Sequence, residues 1–303
     1  MESRRKIIVI LGPTSAGKSA VAVRLAQKFD GEIVSVDSRQ VYRGMDVGTG
    51  KITSGEQAGI KHWMLDIVSP RTDFSAAQFK KRADKTILDI LRRGKLPILC
   101  GGTGFWIKSV VDNVTYPEVK PDWVLRNNLS NESAEELFGR LQKIDPQRAK
   151  NIDAKNKVRL IRAIEICKTL GQVPAEKSDP QYRSLQIGLD VPKDELHAKI
   201  KKRLDRRWRD GMIEEVKRLH QQGLNWKKIQ SFGLGYFWIP EYLRKKISLE
   251  ELYAKVYLAE KDYAKRQITW FKKDNRIIWL PICRKGRVKY EDIEKEVVNF
   301  LQK

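Results

Sequence analysis

Residues 8–19 read Ile-Val-Ile-Leu-Gly-Pro-Thr-Ser-Ala-Gly-Lys-Ser, and no other stretch restricts the fold as tightly. The apolar run lacks period-two alternation, as expected of a parallel strand buried on both faces. Gly12, Gly17, Lys18 and Ser19 fit the pattern G-x-x-x-x-G-K-[ST], and a helical run from Ala20 to Phe29 follows. Strand, glycine-rich turn and helix make a phosphate cradle. Glycines let successive backbone N–H groups curl around an anion, and the helix N-terminus adds its positive end. At this spacing Lys18 reaches the outer phosphate and the Ser19 hydroxyl is placed for Mg²⁺. The chain is thus expected to bind a diphosphate or triphosphate, whether to hydrolyse it, transfer it or release it.

The rest of the chain supplies the sheet that such a cradle needs. Ile33 to Val36 reads as a second short strand ending at Asp37, Gln78 to Arg92 as an amphipathic helix, and Leu96 to Cys100 as a third strand running into Gly101-Gly102-Thr103-Gly104. This alternation predicts an α/β fold, a P-loop NTPase-like parallel sheet flanked by helices. Ligands are expected beyond the C-terminal ends of its strands. From residue 117 to 182 the pattern changes to Pro- and Asn-punctuated helices, with Leu137, Leu141 and Ile144, then Val158, Ile161, Ile164 and Ile166, at helical spacing. We read residues 117–182 as an inserted helical subdomain, and 1–116 with 183–303 as the core. A strand at Leu185 to Leu189, helices near 195–222 and 249–272, a strand near Ile277 to Leu280 and a last helix complete the core.

Composition narrows the partners. A formal net charge of +22 over 303 residues exceeds what solubility needs and argues for a polyanionic partner. No apolar run is long enough to span a bilayer, and the first strand leaves no room for a signal peptide. Cys100, Cys167 and Cys283 are far apart, as are His62, His197 and His220, so no disulfide framework or metal cluster is expected, and a reducing cytoplasm is the natural setting.

Three further stretches carry chemistry. Leu96 to Cys100 ends in glycines, where a nucleotide-hydrolysing relative of this fold would place a metal-binding acid. Asp37 is the one acid read at a comparable strand end, and it opens the irregular loop Asp37 to Lys51. Lys199 to Arg209 holds seven cations on a helix, with Lys199, Arg203 and Arg207 aligned beside an apolar stripe. Such a face is either solvated or a clamp for diphosphate or an RNA backbone, and the sequence does not choose. Tyr263 to Lys273 interleaves aromatic residues with cations, which suits an amphipathic helix and suits stacking on unpaired bases.

Taken together these segments resemble the tRNA isopentenyltransferase (dimethylallyltransferase) family along nearly the whole chain. Gly12 to Ser19 resembles its P-loop, and Asp37-Ser-Arg-Gln-Val-Tyr-Arg-Gly-Met-Asp46 its second signature. Gly101-Gly-Thr-Gly104, Arg159-Leu-Ile-Arg-Ala-Ile-Glu165 and Arg266-Gln-Ile-Thr-Trp270 follow in order. The resemblance implies transfer of a dimethylallyl group from dimethylallyl diphosphate to the exocyclic amine of adenosine 37, beside the tRNA anticodon. It implies that Gly12, Thr14, Ser15, Ala16, Gly17, Lys18, Ser19 and Arg203 hold the diphosphate, with Mg²⁺ at Ser19. Asp37 and Thr103 take the catalytic positions, Asp37 as the base for the amine. Ser38, Gln40, Arg159, Arg162, Arg266, Gln267, Thr269 and Trp270 match tRNA-binding positions, and the insertion would contact the anticodon stem. A cytoplasmic monomer of bacterial type, without the C-terminal zinc finger of eukaryotic relatives, is the expectation.

The chain departs from the family pattern at three places. Phe237 and Trp238 follow Gly235-Tyr236 where a cation and a Glu are usual, Arg207 stands where Met is usual, and Ser15-Ala16 inverts the commoner order. Two other enzyme readings share the cradle: a small-molecule kinase using ATP, and an isopentenyltransferase acting on free adenine nucleotides. An RNA-binding protein without turnover is a third.

Overall fold

The computed structural model describes residues 5–175, 178–283 and 287–303. The chain forms two compact units, Val114–Asp179 and the remainder. The larger unit begins with β1 (Arg5–Leu11), α1 (Lys18–Lys28), β2 (Gly31–Val36), α2 (Ser54–Gln57), β3 (His62–Trp63), α3 (Ala76–Arg92), β4 (Leu96–Gly101) and α4 (Gly104–Val111). The smaller unit is α5 (Trp123–Ser130), α6 (Ala134–Ile144), α7 (Pro146–Lys150) and α8 (Lys157–Leu170). The larger unit resumes with β5 (Tyr182–Asp190), α9 (Lys193–Arg209), α10 (Met212–Gln221), α11 (Trp226–Ser231), α12 (Gly235–Leu243) and α13 (Leu249–Phe271). It closes with β6 (Ile277–Cys283), β7 (Arg287–Val288) and α14 (Tyr290–Gln302).

The seven strands lie in the order β3-β2-β4-β1-β5-β6-β7, with every pairing parallel except the antiparallel β6–β7 edge. β1 is the central strand, and Ile7 to Leu11 are fully buried. Ile7, Val9 and Leu11 enter the core on one face, and Ile8 and Ile10 enter the core on the other. This double burial is why the strand reads as an unbroken apolar run. The strand stops at Gly12, whose φ of +138° suits glycine and where a Cβ would meet the Leu189 carbonyl at 3.2 Å.

Sequence and structure differ in detail. β1 and β5 each begin before their apolar stretches, and β3 and β7 are two-residue strands too short to leave a pattern. Asp190 also closes a strand, so Asp37 is not the only strand-end acid. Asp190, however, is exposed and lies off the cleft described below. In the smaller unit the core is Leu129, Leu137, Leu141, Leu160, Ala163, Ile164 and Cys167. The buried stripe of α8 is thus shifted from the expected one, and Val158 is 78% exposed. The side chain of Cys283 lies outside the described residues, while Cys100 and Cys167 are buried free thiols.

Candidate active site

A cleft of about 600 Å³ opens at the C-terminal ends of the parallel strands, between the loop after β1 and the basic face of α9. Thr14, Ser15, Gly17, Lys18 and Ser19 form one wall. Ser15 has a φ of +62° and Gly17 a φ of +90°, the left-handed geometry that makes a concave row of amides. The Ala16 N–H bonds the Pro13 carbonyl at 3.3 Å and the Thr14 N–H bonds Gln267 Oε1 at 2.7 Å. Both amides are engaged inside the protein. The N–H groups of Ser15 and Gly17 have no partner among the described residues, and those of Lys18 and Ser19 lie in the first turn of α1, where none exists within the helix. The Ser15 hydroxyl is buried beside them without a partner among the described residues. Gly12 and the Ala16 side chain shape the turn from behind rather than line the cleft.

Lys18 curls back, its Nζ donating to the Pro13 carbonyl at 2.6 Å. Burial pushes its ammonium down to about 8, and neighbouring Arg203 adds to that. Arg203 reaches across from α9. Its Nη1 donates to Thr14 Oγ1 at 2.8 Å and its Nη2 to the Gly50 carbonyl at 2.8 Å. Burial and then Arg207 lower its pKa as well. Two buried cations side by side each lower the other's hold on its proton, and a phosphate group bound between them would relieve both. The end of β4 contributes no charge to answer them, since burial pushes the Cys100 thiol up to about 11.

Asp37 faces this cationic wall from the end of β2. Its Oδ1 accepts from the backbone N–H groups of Arg39 at 2.9 Å and Gln40 at 3.3 Å, while Oδ2 has no partner among the described residues. The carboxylate is therefore fixed by one oxygen and leaves the other as a free acceptor on the cleft. Thr103 does not line the cleft. Its hydroxyl accepts from the Ser38 N–H at 3.1 Å, which braces the turn that presents Asp37. Gln40 lines the cleft, and its amide reaches the Gly50 carbonyl at 3.4 Å.

The loop from Asp37 to Lys51 is irregular in sequence because its backbone is bonded to distant side chains. Glu215 of α10 is buried and accepts from the N–H groups of Asp46 at 2.7 Å, Val47 at 2.8 Å and Gly48 at 3.0 Å, and from the Tyr236 hydroxyl at 2.6 Å. Lys51 donates to the Tyr42 carbonyl at 2.9 Å and to Asp46 at 2.6 Å. Arg207 donates to the Gly48 carbonyl at 2.9 Å and pairs with Glu260 of α13, both buried. The Met-to-Arg departure is thus matched by a buried acid. Sequence reasoning missed Glu215 and Glu260, because a buried charge on an amphipathic helix looks like a surface one. Tyr263 lines the cleft, with Arg39 and Arg266 at about 6 Å from its ring, and burial, then Asp37, raises its phenol.

The last signature interlocks with the glycine loop after β4. A Cβ on Gly102 would collide with the Gln267 amide, and one on Gly104 with the Trp270 ring. Gln267 is buried and its Nε2 donates to the Gly102 carbonyl at 2.9 Å, which makes it a strut between two loops. Arg266, Thr269 and Trp270 stay exposed on α13. In the smaller unit Arg159 is exposed, and the half-buried Arg162 is bonded to Glu165 and to the Val119 carbonyl. Against its own burial, Glu165 is held down to about 2 by Arg126, Arg162 and the Asp122 N–H.

The family model for IPP transferase matches residues 40–274. The chain belongs to the IPP transferase family. A tRNA dimethylallyltransferase of Acetivibrio thermocellus is 39% identical over 97% of this chain and 96% of its own length. Among solved structures, the full-length tRNA isopentenylpyrophosphate transferase of Bacillus halodurans is 34% identical, covers 99% of this IPP transferase and 97% of itself, and superposes with a TM-score of 0.75. A eukaryotic dimethylallyltransferase described as acting on tRNA is 26% identical, covers 91% of this chain and 74% of itself, and gives a TM-score of 0.80.

Proposed function

We propose that this IPP transferase moves a dimethylallyl group from dimethylallyl diphosphate to the exocyclic amine of adenosine 37 in tRNA, with release of diphosphate. One observation carries the reading. A cationic diphosphate cradle and a carboxylate with a free oxygen face the same cleft, and the neighbouring strand β4 ends in a neutral thiol and glycine. That arrangement suits a phosphate that leaves better than one that is attacked. The amides of Ser15 and Gly17 with Lys18 and Arg203 take up the negative charge that develops as the allylic C–O bond breaks and its electron pair passes to diphosphate. The amine nitrogen forms the new bond to that carbon, and its proton passes to Asp37 Oδ2, because an aromatic amine is a poor nucleophile until its proton can leave. Thr103 holds the turn of Asp37 in register.

A metal fits this site only as a companion of the diphosphate. Among the described residues no three His, Cys, Asp or Glu side chains cluster as a metal cage. Ser19, exposed on the cleft wall with Asp37 on the same cleft, suits a Mg²⁺ ion bound mainly by phosphate oxygens and water. When bound, such an ion would neutralise the departing diphosphate.

On the RNA side we assign Ser38, Arg39, Arg266, Thr269 and Trp270 to the anticodon loop, and Arg159 of the smaller unit to the stem. An unpaired loop base costs least to flip into a cleft, a few kcal/mol. No described helix is long and apolar enough to cross a membrane. A cytoplasmic monomer is consistent with this reading. Asp37→Asn tests the central role. Turnover should fall by about 10²- to 10⁴-fold, the range for a lost general base, with the dissociation constant of dimethylallyl diphosphate unchanged. Turnover at the wild-type rate would remove Asp37 from the base position.

A further inference from the structure

Gln267 joins the glycine-rich loop after β1 to the loop after β4. Its Oε1 holds the Thr14 N–H of the diphosphate loop at 2.7 Å, and its Nε2 holds the Gly102 carbonyl at 2.9 Å. Gly102 is one peptide from Thr103, whose hydroxyl holds the Ser38 N–H next to Asp37. Thr14 in turn accepts from Arg203 through its hydroxyl. A single buried amide therefore ties α13 to the donor loop and, through the adjoining residue, to the turn of the base. The amide is packed closely on Gly102, which admits no Cβ beside it.

The same helix carries the acceptor side. Tyr263, one turn before Gln267, lines the cleft near Asp37, and Trp270, one turn after, rests on Gly104. Arg266 and Thr269, the flanking exposed residues, complete that surface. A load placed on this stretch of α13 is transmitted to Thr14 and Gly102 through Gln267, because one buried side chain makes both hydrogen bonds.

We infer that Gln267 is the positioning residue that couples occupancy of the acceptor surface of α13 to the shape of the diphosphate loop, so that RNA and diphosphate bind cooperatively. This rests on the proposed function for the identity of the acceptor. Coupling of this kind is reciprocal, so either ligand must tighten the other by the same factor.

Inorganic diphosphate is the probe, because without an allyl group no reaction intervenes. Its dissociation constant is measured with and without a saturating unmodified anticodon stem-loop. In the wild-type chain the stem-loop should tighten diphosphate by about tenfold, within the usual range of such couplings. In Gln267→Met, which keeps the volume and loses both hydrogen bonds, the factor should fall to within about twofold, with stem-loop affinity alone little changed. Gln267→Glu, which keeps an acceptor for the Thr14 N–H, should retain part of the coupling.

A full coupling factor in Gln267→Met, or none in the wild type, would overturn the inference. Should the Met variant fold poorly, amide exchange in the wild-type chain decides: the Thr14 N–H should exchange more slowly once stem-loop is added, and unchanged exchange counts against the idea. If wild-type chain transfers no label from dimethylallyl diphosphate to tRNA, the proposed function fails; if it transfers label without coupling, this inference alone fails.

Discussion

Lys18 shows how a single side chain can set the working range of the site. Burial first, and Arg203 beside it, bring its ammonium down to about 8, whereas the free amine would hold its proton to 10.5. An anionic diphosphate favours the charged form, so binding requires the protonated lysine. Affinity for dimethylallyl diphosphate should therefore be flat below about pH 8 and weaken above it by up to tenfold per unit, until the raised pKa of the complex is passed. Titration calorimetry of the donor from about pH 7 to 9.5 reads this directly; Lys18→Met should bind weakly and lose the slope. A wild-type profile without a slope above pH 8 would contradict it. At this scale the sequence was legible where chemistry dictates spacing: Gly17, Lys18, Ser19 and Asp37 meet on one cleft, with Gly12 behind the turn. It was not legible where a motif residue has a structural duty: Gln267 and Arg162 share their motifs with exposed residues, and only packing separates them.

Among elements, α9, α10 and α13 build the site from behind by anchoring a loop that has no regular structure of its own. The three backbone N–H groups on Glu215 and the Arg207–Glu260 pair do this with buried charge. A buried ion pair contributes little over an apolar replacement, yet removing one partner is costly. Arg207→Met alone should destabilise the chain by about 3–5 kcal/mol in urea unfolding, because Glu260 is left buried and unpaired. Arg207→Met with Glu260→Gln should recover most of that loss. Simple additivity of the two substitutions would show that the pair does not act as a unit. The strands and long helices were readable from apolar spacing. The two-residue strands β3 and β7 were not, nor was the phase of α8, where Val158 in the first turn is exposed and Glu165 takes an inward position with its arginines.

For the whole molecule, the net charge of +22 gains a location. Lys199, Lys202, Arg203, Arg206 and Arg209 all line the cleft or its mouth, so the basic helix is not merely a solvated face. Phosphate contacts make affinity fall with salt, by roughly 0.7–0.9 in log–log slope per contact. Arg266→Ala should weaken tRNA binding and reduce that slope by about one if Arg266 meets a phosphate. A binding curve matching the wild type across salt concentrations would exclude it. The central claim is that the cradle holds a diphosphate destined to leave toward an RNA acceptor. The most direct measurement incubates the chain with Mg²⁺, unmodified tRNA and either allyl-labelled dimethylallyl diphosphate or γ-labelled ATP, with AMP as a competing acceptor. The expected result is label from the prenyl donor on tRNA, undiminished by AMP, and none from ATP. Unlabelled tRNA with consumption of ATP, or label captured by AMP instead, would contradict the account.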